Sequence, residues 1–270
     1  MAELAPLTPL ALVTGASSGI GLELARQFAQ HGYALVITAE DDRLDAAARE
    51  LRELGSPLTA VRADLRTRDG VELLLGEIAA LGRPVRAAAL NAGVGVGGAF
   101  LDTDLEREVD LVHLNVIATL RLAKHLLRDM ADRNEGRLLI TSSMAATMPG
   151  SFQAVYNASK SFLQSFAEAL QNELKDTDVV ITSLMPGPTE TDFFHRAGMD
   201  DTRVGRMPKD DPAQVARQGF EALMAGRSRR PAGSLKTRAQ QAVNKVLPDP
   251  VKAAAHRRLA EPGSGRPRHR

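Results

Sequence analysis

The sequence feature that most constrains the fold is a regular alternation of short apolar runs with segments of helical length. The runs lie at residues 10–13, 34–38, 58–62, 87–90, 137–142 and 179–184. Each has the length of a buried strand, and enough residues for a helix separate it from the next. Strands joined through helices pair in parallel, because each helix carries the chain back to the end of the sheet at which the previous strand began. These crossovers are right-handed. The alternation therefore predicts an α/β fold, a doubly wound parallel sheet with helices on both faces.

A glycine-rich loop, TGASSGIG at residues 14–21, lies between the first predicted strand and the first predicted helix. In that position such a loop is typical of phosphate binding, because glycines let the backbone turn and approach a pyrophosphate. The N–H groups that open the following helix then point at the phosphate oxygens. A glycine turn that binds nothing is the alternative. We expect this Rossmann-type loop to bind a dinucleotide through Gly15, Ser17, Ser18, Gly19, Ile20 and Gly21.

Acidic residues after the second and third predicted strands bear on the choice of dinucleotide. Glu40 is placed to accept hydrogen bonds from the adenosine ribose, and its carboxylate repels a 2′-phosphate. This favours NAD(H), although Arg43 could offset the repulsion, so NADP(H) stays open. A solvated glutamate at a helix start is the alternative for Glu40. Asp64 is placed either to accept from the adenine amino group or to cap the next helix.

Tyr156 and Lys160 stand four residues apart at the start of a predicted helix, which places both side chains on one face. A phenol is a poor acid or base at neutral pH, and we expect the neighbouring ammonium to lower the pKa of Tyr156. Ser143 lies just beyond the fifth predicted strand, so its hydroxyl is placed to hold a substrate oxygen beside the phenol. Asn115 falls within a long predicted helix over residues 105–130, where a purely structural role is the alternative.

Two further motifs follow in chain order, NAG at residues 91–93 and PGPTET at residues 186–191. With the glycine loop, Asn115, Ser143 and the YNASK motif that begins at Tyr156, they resemble the short-chain dehydrogenase/reductase family over about residues 8–225. One departure is Leu90, which stands where the family usually has the first Asn of NNAG, and we expect little functional cost.

The resemblance implies a catalytic tetrad of Asn115, Ser143, Tyr156 and Lys160, with Asn115 holding a water that links Lys160 to solvent. It also implies that the cofactor contacts both Tyr156 and Lys160. Further cofactor contacts are implied at Leu65, Asn91, Ala92, Gly93, Pro186, Gly187, Thr189 and Thr191. No metal is expected.

The implied activity is hydride transfer between NAD(P)(H), with NAD(H) favoured, and a carbonyl or secondary alcohol carbon. The candidate pocket residues Ala145, Met148 and Phe152 carry no charge, which favours an apolar small-molecule substrate. We expect residues 190–212 to form a mobile lid, in which His195 is a possible but incidental substrate contact. A non-catalytic dinucleotide-binding redox sensor is the alternative, and the intact tetrad argues against it.

The sequence divides into one Rossmann-fold catalytic domain, residues 1–226, and a basic C-terminal extension, residues 227–270. Residues 226–270 hold 12 Lys or Arg against two acids, so the preceding chain is net acidic. Short helices are predicted over residues 238–246 and 251–259, and disorder over residues 261–270. A solvated arm, or an arm on an acidic partner surface, is the expected role; a nucleic-acid contact is not expected.

Composition bears on location and assembly. The chain has no cysteine, which excludes disulfides and thiolate metal sites and is compatible with the cytoplasm, our expected location. No apolar run approaches the roughly 18 residues that span a bilayer, so no membrane contact is expected. The long helices over residues 105–130 and 157–174 have wide apolar faces and, by the family resemblance, are expected to pair subunits in a homodimer or homotetramer.

Overall fold

The computed structural model describes residues 8–234, Thr237 and residues 247–265. Its strands are β1 (Leu10–Thr14), β2 (Ala34–Ala39), β3 (Leu58–Arg62), β4 (Val85–Leu90), β5 (Gly136–Thr141), β6 (Val179–Pro186) and β7 (Arg229–Ala232). Within these described residues they form one seven-stranded sheet in the order β3-β2-β1-β4-β5-β6-β7, with every pair parallel. The order reverses between β1 and β4, where a doubly wound sheet opens a crevice at its carboxyl edge.

Helices cover both faces of the sheet. They are α1 (Gly19–Gln30), α2 (Arg43–Glu53), α3 (Arg68–Ala80), α4 (Leu105–Val112), α5 (Thr119–Asp132), α6 (Ala154–Glu173), α7 (Phe193–Arg196), α8 (Arg203–Arg206), α9 (Pro212–Met224) and α10 (Asp249–Ala260). One apolar core joins the sheet to α3, α5 and α6. A second joins the opposite face to α1, α2 and α9. The predicted Rossmann-type α/β fold is confirmed.

The last strand was not predicted. Strand β7 has the sequence RRPA, which lacks an apolar run, and it lies at the sheet edge beside β6. An edge strand tolerates a proline and charged side chains, because one of its sides needs no partner strand. The predicted domain boundary at residue 226 therefore falls before the sheet is complete.

The long helix predicted over residues 105–130 is interrupted. A π-helical turn, His113–Ala118, separates α4 from α5 and contains Asn115. The wider turn is held in part by the Thr119 hydroxyl, which donates to the Asn115 carbonyl over 2.8 Å. Such turns are frequent at functional sites and leave no signal in apolar periodicity, which explains the error.

The C-terminal extension packs against the domain where the structure describes it. Helix α10 covers the predicted helix over 251–259, whereas the one over 238–246 lies outside the described residues. Residues 261–265, part of the tail expected to be disordered, form turns instead. The Gly263 N–H donates to the Asp201 carboxylate over 2.8 Å, and Arg203 donates to the Ser264 carbonyl over 3.1 Å. Of the helices described, none has the length and apolar character needed to cross a membrane.

Candidate active site

A cavity of about 340 Å³ opens at the carboxyl edge of the sheet. It runs from the glycine loop, past the ends of β4, β5 and β6, to helix α10. A pocket of this size, with a mostly apolar wall and a few converging polar groups, is typical of a ligand site. Predicted site residues that line it are Gly15, Ser17, Ser18, Gly19, Ile20, Gly21, Glu40, Asp64, Leu65, Asn91, Ala92, Gly93, Ser143, Tyr156, Lys160, Pro186, Gly187, Thr189 and Thr191.

The three glycines of the loop have no room for a side chain. Gly15 has a φ of +67°, and a Cβ there would lie 2.9 Å from the Ala92 Cα. A Cβ on Gly21 would overlap the Gly15 carbonyl, and one on Gly19 would lie 2.8 Å from the Thr191 methyl group. The loop therefore exposes backbone to the cavity at the N-terminus of α1, where N–H groups are free to meet an anion. These residues fit the pyrophosphate of a dinucleotide.

Asn91 joins three strands beneath this loop. Its side-chain amide donates to the Thr14 carbonyl over 3.3 Å, and its carbonyl oxygen accepts from the Thr141 hydroxyl over 3.1 Å. The backbone N–H of Asn91 also donates to the Thr14 hydroxyl over 2.9 Å. Leu90, the departure from the usual NNAG, is buried in the core below. The motif thus fixes the floor of the cavity.

At the end of the cavity beside β2 and β3, Arg66 lies between the two predicted adenosine ligands. Its guanidinium donates to Glu40 over 2.6 Å and to both carboxylate oxygens of Asp64 over 2.9 Å. The Arg66 contacts lower the pKa of the Asp64 carboxyl, although burial acts in the opposite direction. Sequence reasoning missed Arg66, because an arginine after a strand has no distinctive spacing.

Neither Glu40 nor Asp64 caps the helix that follows it. The cap of α3 is Thr67, whose hydroxyl accepts from the Gly70 N–H over 3.0 Å, and Asp64 does not fill that role. Glu40 precedes the Asp42 cap of α2 and pairs with Arg66.

Arg43 does not line the cavity, in contrast to the prediction. Its guanidinium donates to Asp192 over 2.5 Å and to Asp41 over 3.0 Å, which raises its pKa. Asp41 in turn accepts from the Ser17 hydroxyl over 3.1 Å and pairs with Arg196 over 3.3 Å. Arg43 therefore joins the glycine-loop side of the cavity to the segment after β6.

Three of the four tetrad residues meet at the cavity wall. Ser143 follows β5, and its hydroxyl lies near enough to the Tyr156 phenol to lower the pKa of that phenol. Tyr156 and Lys160 lie one turn apart in α6, with the Lys160 Nζ 5.8 Å from the centroid of the phenol ring. The Lys160 ammonium donates to the Thr141 carbonyl at the end of β5 over 3.0 Å. The sheet edge and α6 thus hold a phenol, a hydroxyl and an ammonium together.

The two ionisable groups of this cluster are shifted toward their neutral forms. Burial raises the pKa of Tyr156 to about 12, and the hydrogen bond from Ser143 opposes this rise. Burial lowers the pKa of Lys160 to about 8. The pKa of Tyr156 is therefore raised, against the expectation that the ammonium lowers it, because burial is the largest cause.

Asn115 is fully buried beside the cavity. Its amide donates to the Val94 carbonyl over 3.0 Å and to the Ser159 hydroxyl over 3.1 Å, and its oxygen accepts from the Val94 N–H over 2.9 Å. A Cβ on Gly93 would lie 3.0 Å from that oxygen and 3.3 Å from the Lys160 Nζ. Asn115 and Lys160 therefore meet across Gly93, which brings the fourth tetrad residue within the cluster.

The segment predicted as a lid supplies aromatic side chains to the cavity. Phe193 and Phe194 both line it, and the Phe193 ring lies 5.1 Å from the Tyr156 ring. His195 is 81% exposed and pairs with Asp200 over 2.8 Å, so it lies away from the site. The segment consists of α7 and α8 with connecting turns, and a bridge between Thr189 and Asp210 closes its base.

Ala145 and Met148 line the cavity as predicted, whereas Phe152 does not. Phe152 adopts a φ of +64° and packs under Arg257 of α10, with 5.2 Å from the guanidinium carbon to the ring centroid. Buried Gln153, next to it, reaches the cavity instead. The error arises because α10 covers Phe152, and no local pattern indicates where a distant helix returns.

Comparison with known proteins decides the family. The family model described as "short chain dehydrogenase" matches residues 9–201. The chain belongs to this family. It is therefore an oxidoreductase that acts on CH–OH or C=O groups with a nicotinamide cofactor.

Individual relatives of this short-chain dehydrogenase agree. A putative ketoacyl reductase of Streptomyces coelicolor is 33% identical over 185 residues, 67% of this chain and 71% of the relative. A short-chain dehydrogenase from Sphingobium yanoikuyae, solved in complex with NADPH, matches with a TM-score of 0.77 and 27% identity, over 89% of this chain and 96% of that one. A short-chain dehydrogenase/reductase from Burkholderia phymatum, solved with NAD, gives 0.75 and 25%, over 82% and 87%.

Proposed function

We propose that this enzyme transfers hydride between NAD(H) and the carbonyl or secondary alcohol carbon of a largely apolar small molecule. The observation that supports it is the convergence of Ser143, Tyr156 and Lys160 on the wall of a cavity that begins at the glycine loop. A substrate oxygen beside this pair has a hydroxyl to orient it and a phenol to exchange its proton.

In the reductive direction, the carbonyl carbon receives hydride and its oxygen receives the proton of Tyr156. A nicotinamide bound in this cavity would supply the hydride, and the positive charge of its oxidised form would favour the phenolate of Tyr156. Ser143 holds the substrate oxygen as the proton moves. The Lys160 ammonium, 5.8 Å from the centroid of the phenol ring, stabilises the resulting phenolate by its charge, and Asn115 positions the Gly93 turn against this ammonium. Oxidation of an alcohol is the same sequence in reverse.

The preference for NAD(H) rests on Glu40. Its carboxylate lines the ribose end of the cavity, where a 2′-phosphate would meet a like charge. The ion pair with Arg66 reduces this repulsion, because the guanidinium is shared between Glu40 and Asp64. Asp64 accepts from Arg66 through both oxygens and is left with its remaining acceptor sites for the adenine amino group.

We also propose a homo-oligomer that pairs through α4 and α6. Exposed apolar side chains lie on α4 and in the turn before it, which contains Leu101, 94% exposed. Another exposed apolar side chain, Phe162, lies on α6. The phenyl ring of Phe162 stacks on that of Phe166, with 5.9 Å between centroids. Apolar surface of this kind is typical of a subunit contact.

The test of the proposed function is a fluorescence titration with NADH and NADPH, followed by turnover of apolar ketones, aldehydes and secondary alcohols. We expect tighter binding of NADH and turnover of at least one carbonyl class. Tighter binding of NADPH would overturn the role of Glu40 and leave the enzyme assignment intact. Tight binding of NADH without turnover of any carbonyl or alcohol class would instead support a redox sensor.

A further inference from the structure

Helix α10 forms the far wall of the substrate end of the cavity. Its residues Lys252, Ala255, His256, Leu259 and Ala260, with Leu247 just before it, line the space that also contains Tyr156. The helix lies beyond the residues matched by the family description, 9–201. The catalytic side of the cavity therefore falls within the matched residues, and the α10 wall falls outside them.

Specific contacts fix this helix in place. The His256 ring Nδ1 donates to the Ser151 carbonyl over 2.9 Å, and Arg257 covers the Phe152 ring. Ala260, at its end, packs with Phe194 and Met199 of the segment after β6. The helix thus contacts both sides of the cavity mouth, by a hydrogen bond on one side and by apolar packing on the other.

Among the described residues, the wall that α10 completes is apolar apart from the Lys252 side chain and the His256 ring. Val204, Met207, Leu247 and Leu259 line this end with the methionines after β5. The Lys252 side chain is only 12% exposed and lies among them. A lysine of this kind buries its alkyl stem and leaves an ammonium that requires a partner.

The other basic residues among the described lining residues have partners or roles of their own. Among the other cationic residues lining the cavity, Arg196 pairs with Asp41 on the glycine-loop side, and Lys160 belongs to the catalytic cluster. His256 is held neutral near pH 7, since burial lowers its pKa and the carbonyl of Ser151 offsets this only in part.

The ion-pair partner of Lys252 stands largely in water. Asp249 lies 3.0 Å from the ammonium, but its own side chain is 72% exposed. An exposed carboxylate keeps most of its hydration, so such a pair contributes little to stability. A second anion arriving from inside the cavity would meet the ammonium in a less hydrated setting, where a charge-assisted hydrogen bond is stronger.

We propose that Lys252 of α10 binds an anionic end group of the substrate, so that the enzyme prefers oxo or hydroxy acids with an apolar chain to their neutral analogues. This inference rests on the proposed function, because it places the reacting carbon at Tyr156 and the carboxylate at Lys252. The apolar side chains between the two ends bind the chain of the substrate, and α10 determines which molecules fit.

The kinetic test compares straight-chain oxo acids with their methyl esters at matched lengths. The wild type is expected to favour the acid in kcat/KM. Lys252→Met, which keeps the apolar stem, lowers the acid-to-ester ratio at least about tenfold, mainly by raising KM for the acid. Lys252→Arg restores part of the preference, and Asp249→Asn strengthens it. The control Lys124→Met, at an exposed position on α5, leaves the ratio unchanged.

A binding measurement separates this inference from the enzyme assignment. Decanoate and methyl decanoate are titrated into the NADH-bound protein, with NADH fluorescence as the readout. We expect tighter binding of decanoate by the wild type and loss of that difference in Lys252→Met. If the difference is present but no carbonyl or alcohol of any class is turned over, anion binding at Lys252 stands, whereas the proposed function and the substrate preference that rests on it fail. Turnover with equal acid and ester binding, or a ratio unaltered in Lys252→Met, overturns the inference alone.

Discussion

The Lys160 ammonium lies 5.8 Å from the centre of the Tyr156 ring and is hydrogen-bonded to the Thr141 carbonyl over 3.0 Å. The carbonyl holds the lysine at the end of β5, while the helical spacing holds the phenol one turn away. Burial disfavours both charged forms, so at neutral pH the pair is a neutral phenol and an ammonium that loses its proton near pH 8. Tyr156 therefore carries its proton at neutral pH and is in the form that reduction of a carbonyl requires.

Reduction is expected to slow as the pH rises through about 8. The folded pKa of Lys160, about 8, lies below its ordinary 10.5, so the ammonium is present below pH 8 and lost above it. Tyr156 stays protonated over this range because its pKa is about 12. The measurement is kcat/KM for a carbonyl substrate against pH, with NADH affinity followed in parallel. A value of kcat/KM that does not change up to pH 10 would show that the charge on Lys160 is not needed.

The same shift affects folding with a definite sign. Between pH 8 and 10.5, the unfolded chain binds the Lys160 proton and the folded chain has released it. Lys160 alone therefore makes the free energy of unfolding increase with pH in this window. Urea unfolding of the wild type and Lys160→Met at pH 8 and pH 10 isolates the contribution. A difference between the two proteins that is independent of pH would contradict the lowered pKa.

Glu40→Gln should move the cofactor preference toward NADPH. The substitution removes the carboxylate charge facing the ribose and frees Arg66 from one of its ion pairs. Loss of one exposed charge repulsion is worth about 1 kcal/mol, so NADPH is expected to bind roughly fivefold tighter. Asp42→Asn, an exposed acid two residues later, is the control. An unchanged ratio of NADH to NADPH affinity in Glu40→Gln would show that Glu40 does not discriminate between them.

Asn115→Ala should weaken both the fold and the catalytic step. It leaves the Val94 N–H and carbonyl without their partner and removes one of the two hydrogen bonds of the Ser159 hydroxyl, at a cost of about 2 kcal/mol in the free energy of unfolding. Turnover should fall further than NADH affinity, because the Gly93 turn lies against Lys160. Urea unfolding and kinetics measure the two effects, with exposed Asn172→Ala as the control. A variant as stable and active as the wild type would refute the positioning role.

Local patterns predicted the fold well because they depend on neighbouring residues. The six apolar runs became β1 to β6, and the glycine loop lies where strand passes to helix. The interactions that the sequence did not predict join distant segments. Arg66 bridges Glu40 and Asp64, and α10 returns over Phe152 to place Lys252 in the cavity. Such contacts depend on tertiary packing, and neither periodicity nor spacing records them.

A charged side chain introduced on the face formed by α4 and α6 should separate subunits that pair through this face. Phe162→Glu places a carboxylate on the proposed contact, which desolvates a charge without a partner if copies pair there. Sedimentation velocity is expected to show a shift to monomer. Leu73→Glu, at an exposed leucine of α3 outside this face, is the matched control and should leave the assembly intact. Equal sedimentation of both variants and the wild type would place the contact elsewhere.

The most direct test of the account is turnover by Tyr156→Phe, which removes only the hydroxyl that Ser143 contacts. With NADH and a carbonyl that the wild type reduces, kcat is expected to fall about a thousandfold while NADH affinity and the free energy of unfolding stay within experimental error. That result would assign the proton transfer to Tyr156. Turnover close to that of the wild type would contradict the account, because another group would then have to move the proton.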